Sequence, residues 1–225
     1  MTSSSRKRKT ASTLQDLTPD ERHVLRSVSL LDAFDATLAT RAAGLTREGP
    51  ALRLVERPFV QHDPFALWPF HLHDVVGSTI RTADDPTDDR WSPTNWQHAA
   101  QRALTALGEQ WTTAAGPRSG RKLLVGCLRL AREHRLEPDW LTEAAWQYIS
   151  DSVWEPLAPP AGLDTAQATL ELAMCFHHAV RGAADCAAAS IARLHNLTRD
   201  GDYAYYLDIA HFMAGLPHQP HSTVR

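Results

Sequence analysis

Histidine gives this chain most of its chemical reach, with 12 imidazoles among 225 residues. His71 and His73 stand two apart on a predicted strand, which puts both on one face, and Asp74 follows directly. Two imidazoles and a carboxylate at that spacing suit a divalent metal, and a His-Asp pair of this kind occurs in metal-dependent phosphohydrolases. Such a centre needs further ligands from defined places in the fold. His62, His98, His134, His195 and His211 are scattered along the chain. His177 and His178 are neighbours within a predicted helix, where adjacent side chains diverge by about 100°. These imidazoles therefore read as surface or interface residues, with one or two hydrogen-bonded in the core. No metal or other cofactor is expected.

Other reactive signatures are missing from the sequence. The run Gly116-Pro117-Arg118-Ser119-Gly120-Arg121-Lys122 is the nearest approach to a phosphate loop. It lacks the Gly-Lys-Ser/Thr ending that sets a lysine on phosphate and a hydroxyl on magnesium, and it follows a helix rather than a strand. It reads as an interhelical turn. No Gly-x-Ser-x-Gly elbow occurs. Cys127, Cys175 and Cys186 are odd in number and lie in Ala- or Leu-rich helical stretches. They read as small buried residues of a reducing cytoplasm, with little nearby to ionise a thiol. The expectation is a non-enzymatic, cytoplasmic protein.

Composition agrees with a packed, water-facing chain. Apolar residues make up 43% of the sequence and the formal net charge is −3. That charge supplies no general basic field for nucleic acid or an anionic membrane. No run of about 20 apolar residues offers a membrane span. The polar, then basic N-terminus has no apolar stretch after it and is not a secretory signal.

The elements that would position these residues follow from caps and periodicity. Residues 1–16 read as a disordered tail whose Arg6-Lys7-Arg8-Lys9 run is solvated. Thr18, Pro19 and Glu21 form a capping-box start, and Val24, Leu25, Val28 and Leu31 repeat at helical spacing. Asp35 is placed to cap a second helix and Gly44 to end it. A short third helix follows Gly49 and closes at Pro58. A strand over 58–61, a turn at His62-Asp63-Pro64 and a returning strand over 67–72 predict a hairpin, with Pro69 favouring an edge. A helix from about 73 to 81 completes the outline of a winged helix, an elaborated helix-turn-helix. The acidic, turn-rich stretch 86–92 is the expected linker. Ser92 and Pro93 then open the first of six helices, broken at Gly116-Pro117, Glu137-Pro138, 156–162, Gly182 and Asp200-Gly201. Their alanine-rich faces suit antiparallel hairpins of the tetratricopeptide type, although no strict 34-residue period is present; a closed bundle is the alternative. Six tryptophans (Trp91, Trp96, Trp111, Trp140, Trp146 and Trp154) fall in this part and are expected to fill gaps between hairpins. The fold class expected is thus mainly α: a winged-helix-like unit with a small β-hairpin over 17–85, a helical-repeat-like domain over 93–216, and a tail over 217–225.

The order of several short motifs resembles the winged-helix portion of NB-ARC-type signalling ATPases of the STAND class. They are Leu17-Thr18-Pro19-Asp20-Glu21-Arg22, Phe34-Asp35-Ala36-Thr37-Leu38-Ala39, Leu54-Val55-Glu56-Arg57-Pro58-Phe59-Val60 and His71-Leu72-His73-Asp74-Val75-Val76. In that family a Met/Leu-His-Asp motif closes the segment, and Leu72-His73-Asp74 matches it. The resemblance implies that His73 approaches the β-phosphate of bound ADP and that Asp74 braces the junction. It also implies helical repeats downstream, as in actinobacterial regulators. The family's phosphate loop, acidic magnesium strand and sensor arginine precede this segment, where the present sequence has only a short polar tail. The resemblance therefore implies a regulatory half without its nucleotide-binding domain, whose partner would be a P-loop ATPase domain supplied in trans.

Three functions are compatible with the sequence. The first is a protein-interaction or regulatory module. The second is a DNA-binding winged helix; its candidate recognition helix carries Arg53 between Glu48 and Glu56, and its wing carries His62 and Asp63 rather than lysines, so nucleic acid is an unlikely partner. The third is a metal-dependent hydrolase built on His71, His73 and Asp74.

Overall fold

The computed structural model describes residues 16–66, 68–82, 90–111, 117–153, 166–197 and 204–215. Among them are ten helices and one two-stranded antiparallel sheet. All but the last residue of the predicted tail over 1–16, the whole predicted tail over 217–225 and most of the predicted linker lie outside the described residues, as does Trp154. Contacts divide the chain into two compact units, Met1–Ser119 and Gly120–Arg225.

The first unit opens with α1 (Pro19–Val28), α2 (Ala36–Ala43) and α3 (Gly49–Val55). The expected capping box is formed: Glu21 N donates to Thr18 Oγ1 at 3.3 Å, and Thr18 N donates to Glu21 Oε2 at 3.1 Å. Asp35 caps α2 through the Leu38 N–H at 2.6 Å. Val24, Leu25, Val28, Leu38, Ala39, Ala42 and Leu54 are buried, giving one apolar face per helix.

Strands β1 (Val60–His62) and β2 (Phe70–Leu72) pair in the register Val60–Leu72, Gln61–His71, His62–Phe70. The second strand starts later than the alternation predicts because Pro69 has no N–H to donate. Its carbonyl instead closes the turn by accepting from Asp63 N at 2.7 Å. Trp68 leaves the hairpin and donates from its indole to Gln110 Oε1 at 2.8 Å. A bridge unforeseen in the sequence joins Phe34, between α1 and α2, to Phe70 through a reciprocal pair of 2.8 and 3.0 Å. Across the sheet the order is therefore Phe34, then β2, then β1. Helix α4 (Asp74–Thr82) follows, and Arg81 donates to the Ser29 carbonyl beyond the end of α1.

Helix α5 (Pro93–Trp111) differs from expectation in its neighbours. It was expected to open the helical stack, yet it packs on α2 and, less extensively, on α1. Trp91 stacks edge-on against both His23 and Trp96, at centroid distances of 4.9 and 4.8 Å. Arg41 pairs with Glu109 near the far end of α5. The buried Ala99, Ala100 and Ala103 give α5 a smooth face for close approach.

The second unit comprises α6 (Pro117–His134), α7 (Asp139–Val153), α8 (Ala166–Val180), α9 (Ala184–Leu197) and α10 (Ala204–Met213). Helix α8 is the hub, in contact with α7, α9 and α10. Its residues 168–176 are buried without a break, the pattern of a helix covered on several sides. A three-residue turn at 181–183 folds α9 back on α8. Arg135 ends α6 at φ 52°, a left-handed cap usually given to glycine. Among the described residues no helix is long and apolar enough to cross a membrane.

The left-handed Gly44 at the end of α2 (φ 70°) provides a direct check on the α5 docking. A Cβ there would lie 2.9 Å from Arg102 Nε. Gly44→Ala is expected to destabilise the protein by about 1–2 kcal/mol in urea unfolding. Gly182→Ala has a similar φ of 68° and nothing within 4 Å, and is expected to cost less.

Candidate functional site

The His71–Asp74 segment lies where the last strand becomes a helix. Leu72 is buried and anchors it, while His73 and Asp74 face outward. His73 N extends the sheet by donating to Phe59 O at 3.1 Å. Its carbonyl accepts from Val76 N and Gly77 N at 2.8 and 3.1 Å, so His73 starts α4. Its imidazole is left at the positive end of the helix, and Asp74 sits in the first turn, where a carboxylate is favoured.

His71 takes another path. Its Nε2 donates to Gln61 Oε1 at 2.8 Å across the hairpin, since an amide oxygen can only accept. His62 stacks on Phe70 at 5.2 Å. Among the described residues no group of three or more His, Cys, Asp or Glu side chains could hold a metal ion, and His71, His73 and Asp74 do not form one. What the corner offers is an outward imidazole beside a helix N-terminus, an arrangement suited to an oxyanion.

Arg53, the candidate DNA cation, is engaged elsewhere. Its Nε donates to Glu21 Oε1 at 2.6 Å, and Arg57 Nη2 donates to Glu21 Oε2 at 3.2 Å. Glu21 is 2% exposed at its side chain. Burial raises the pKa of this carboxyl. The hydrogen bonds from Arg53 and the Thr18 N–H, with the charges of Arg57 and Arg53, outweigh that and hold it below its ordinary 4.5.

Sequence reasoning missed a second carboxylate cluster, in the Gly120–Arg225 unit. Glu171 of α8 is buried, its Oε1 accepts from Arg193 Nε at 2.9 Å, and Arg193 Nη2 lies 2.8 Å from the same oxygen as an ion-pair contact. Arg132 Nη1 lies 3.9 Å from the same oxygen. The available signal was Glu171 itself, an acid inside the apolar run Leu170-Glu171-Leu172-Ala173-Met174. Of the three cysteines expected to be buried, Cys127 and Cys175 are, whereas Cys186 is exposed near the start of α9. Burial, and then the neighbouring Glu171 charge, pushes the Cys175 thiol up to about 12. Trp91 and Trp146 are buried as expected, and Trp96, Trp111 and Trp140 are partly exposed.

No protein-family model matches the chain, and no curated protein or solved structure matches it.

Two outcomes follow from this geometry. A carboxyl held below its ordinary pKa stabilises the fold at pH values above its unfolded pKa, and that stability is lost as pH falls through the folded value. Glu21→Gln is therefore expected to lower stability by about 2 kcal/mol at pH 7 and to flatten the loss of stability that the native protein shows below about pH 4.5. A thiol-reactive reagent at pH 8 is expected to label Cys186 in the native state and to reach Cys127 and Cys175 only after denaturation; native labelling of Cys175 would contradict its burial.

Proposed function

We propose that this chain is a non-catalytic regulatory and protein-interaction module resembling the C-terminal half of a STAND-type signalling ATPase. In this reading the first unit is winged-helix-like, the later helices form a tetratricopeptide-like stack, and a P-loop ATPase domain acts on the module in trans. The observation that carries the reading is the Phe34–Phe70 bridge beside the hairpin, with Leu72-His73-Asp74 closing the last strand. A short first strand between the first two helices, paired with the last strand, is what a winged helix requires beyond a helix-turn-helix. The outward His73 fits the role that the family resemblance gives it, an N–H donor to the β-phosphate of ADP held by the ATPase domain.

The engagement of Arg53 and Arg57 with Glu21 also favours a protein partner over DNA. A cation of the helix that would enter the groove, and another just beyond its end, are directed toward a buried acid, and duplex binding needs several cations free for phosphates.

ADP alone is expected to leave the melting temperature unchanged, because His73 by itself supplies one donor. ADP together with a cognate P-loop ATPase domain is expected to stabilise the complex. His73→Ala, at an exposed position, is expected to preserve the melting temperature and weaken nucleotide-dependent association about tenfold. A shift with ADP alone, or a salt-sensitive mobility shift on duplex DNA requiring the folded first unit, would overturn the reading.

A further inference from the structure

We propose that the helical unit carries an oxyanion-binding site at Arg132, Arg193 and His178, built on the buried Glu171. The site is separate from the His73 corner and does not depend on the regulatory reading.

A single cation neutralises Glu171, and Arg193 supplies it by donating from Nε to Oε1 at 2.9 Å, with Nη2 2.8 Å from the same oxygen as an ion-pair contact. Arg193 is fixed further by donating from Nη2 to Ser190 Oγ at 3.0 Å, and Ser190 is fully buried. Arg132 then brings a second guanidinium to the same oxygen at 3.9 Å, too far for a hydrogen bond. Its guanidinium makes no hydrogen bond to a described residue. The three charges leave one net positive charge, with two guanidinium groups drawn to one carboxylate oxygen.

The Glu21 cluster provides the contrast. There both arginines donate directly to the acid, Arg53 to one oxygen and Arg57 to the other, which also accepts from Thr18 N. At Glu171 the second arginine satisfies nothing. Its side chain is 37% exposed and that of Arg193 44%, as open to water as the arginines at Glu21, and both lie over buried neighbours. Those neighbours include Glu171, Cys175 and Ala187. Two planar forks converging over a low-dielectric base suit a carboxylate or phosphate oxygen, which would take up the spare donors and relieve the like-charge repulsion.

His178 completes the cluster. It lies seven residues after Glu171 on α8, on the same face of the helix. Burial lowers its pKa, and the charges of Arg132 and Arg193 lower it further, while Glu171 raises it. An anion seated on the two arginines cancels their effect, so His178 becomes protonated more readily and adds a third donor. His177 serves as the internal reference, because its cationic neighbours are His178 and Arg181 rather than Arg132 or Arg193.

The chemistry fits a small free oxyanion or an acidic side chain of a protein, and the experiment separates them. The full chain is titrated with inorganic phosphate, and in parallel with an oligoglutamate peptide, while the His178 ring protons are followed by NMR and assigned with His178→Gln. A saturable rise in the His178 titration midpoint is expected, larger than any at His177. Arg132→Gln is expected to weaken the response at least about tenfold and to leave the melting temperature unchanged, since Arg132 holds no structural hydrogen bond. A response to phosphate alone supports the site and assigns it to small anions. A response to the peptide at lower concentration supports it and assigns it to an acidic segment of a partner. No selective movement of His178 with either anion through the millimolar range, or an undiminished response in Arg132→Gln, overturns the proposal.

Discussion

The end of α2 sets a constraint that much of the first unit serves. A helix leaves its last four carbonyls without intrahelical partners, and burying any of them unpaired costs about 1–3 kcal/mol. Here all four are met. Thr40 O accepts from Leu45 N at 3.0 Å and Arg41 O from Gly44 N at 2.9 Å, both made possible by the left-handed turn at Gly44. Ala42 O accepts from Arg102 Nε at 3.0 Å, and Ala43 O from His23 Nε2 at 2.9 Å. A carbonyl only accepts, so Nε2 of His23 carries the proton. Three helices thus meet at one helix end: α1 sends His23, α5 sends Arg102, and the turn itself supplies the other two donors. The arrangement explains why α5 belongs to this unit. Without Arg102, the Ala42 carbonyl would lose its donor beneath the covering helix.

Local chemistry was legible in the sequence, and the choice of neighbours was not. Thr18 and Glu21, Asp35 and Gly44 each announce a helix boundary through atoms within a few residues, and each works as its type requires. The hairpin was legible from its turn residues, with its second strand shortened by Pro69. The partner of α5 was hidden because an alanine face fits any smooth helix, and periodicity records a buried face without naming what covers it. Of the two residues that decide the matter, Arg102 and Trp91, the tryptophan reads in sequence as a gap filler. Phe34 was hidden for a related reason. One residue of extended backbone has no period, and its bridge to Phe70 exists only once both helices are in place. At the candidate site, the outward His73 followed from the motif, whereas the loss of Arg53 to Glu21 needed the packing of α1 on α3.

Both units bury one acid and surround it with arginines, yet they differ in what the acid does. Glu21 lies on a helix that it also caps, so its carboxylate answers a backbone N–H as well as two guanidinium groups. Such a group is costly to remove and contributes mainly by fixing α1 against α3. Glu171 sits in mid-helix, where it caps nothing. Its only described partners are Arg193 and Arg132, and both remain partly in water. An acid there adds little that leucine could not, if stability were all that was at stake. Its distinctive effect is to draw two arginines together at one place on the surface.

The same reasoning bears on where recognition resides in the first unit. A winged helix that reads DNA presents its third helix and wing as cationic surfaces. In this chain Arg53 of α3 and Arg57 just after it turn toward Glu21, and the hairpin tip holds Asp63 and a fully outward Phe65, whose N–H donates to Asp63 Oδ1 at 3.1 Å. The groups that would meet phosphate are spent on the fold, and the tip offers an apolar ring instead. The corner that keeps a polar donor outward is His73, at the start of α4. Its backbone is fixed on both sides, through Phe59 before it and Val76 and Gly77 after it. A backbone held on both sides leaves only the side-chain rotamers of His73 to be ordered when its imidazole meets a ligand.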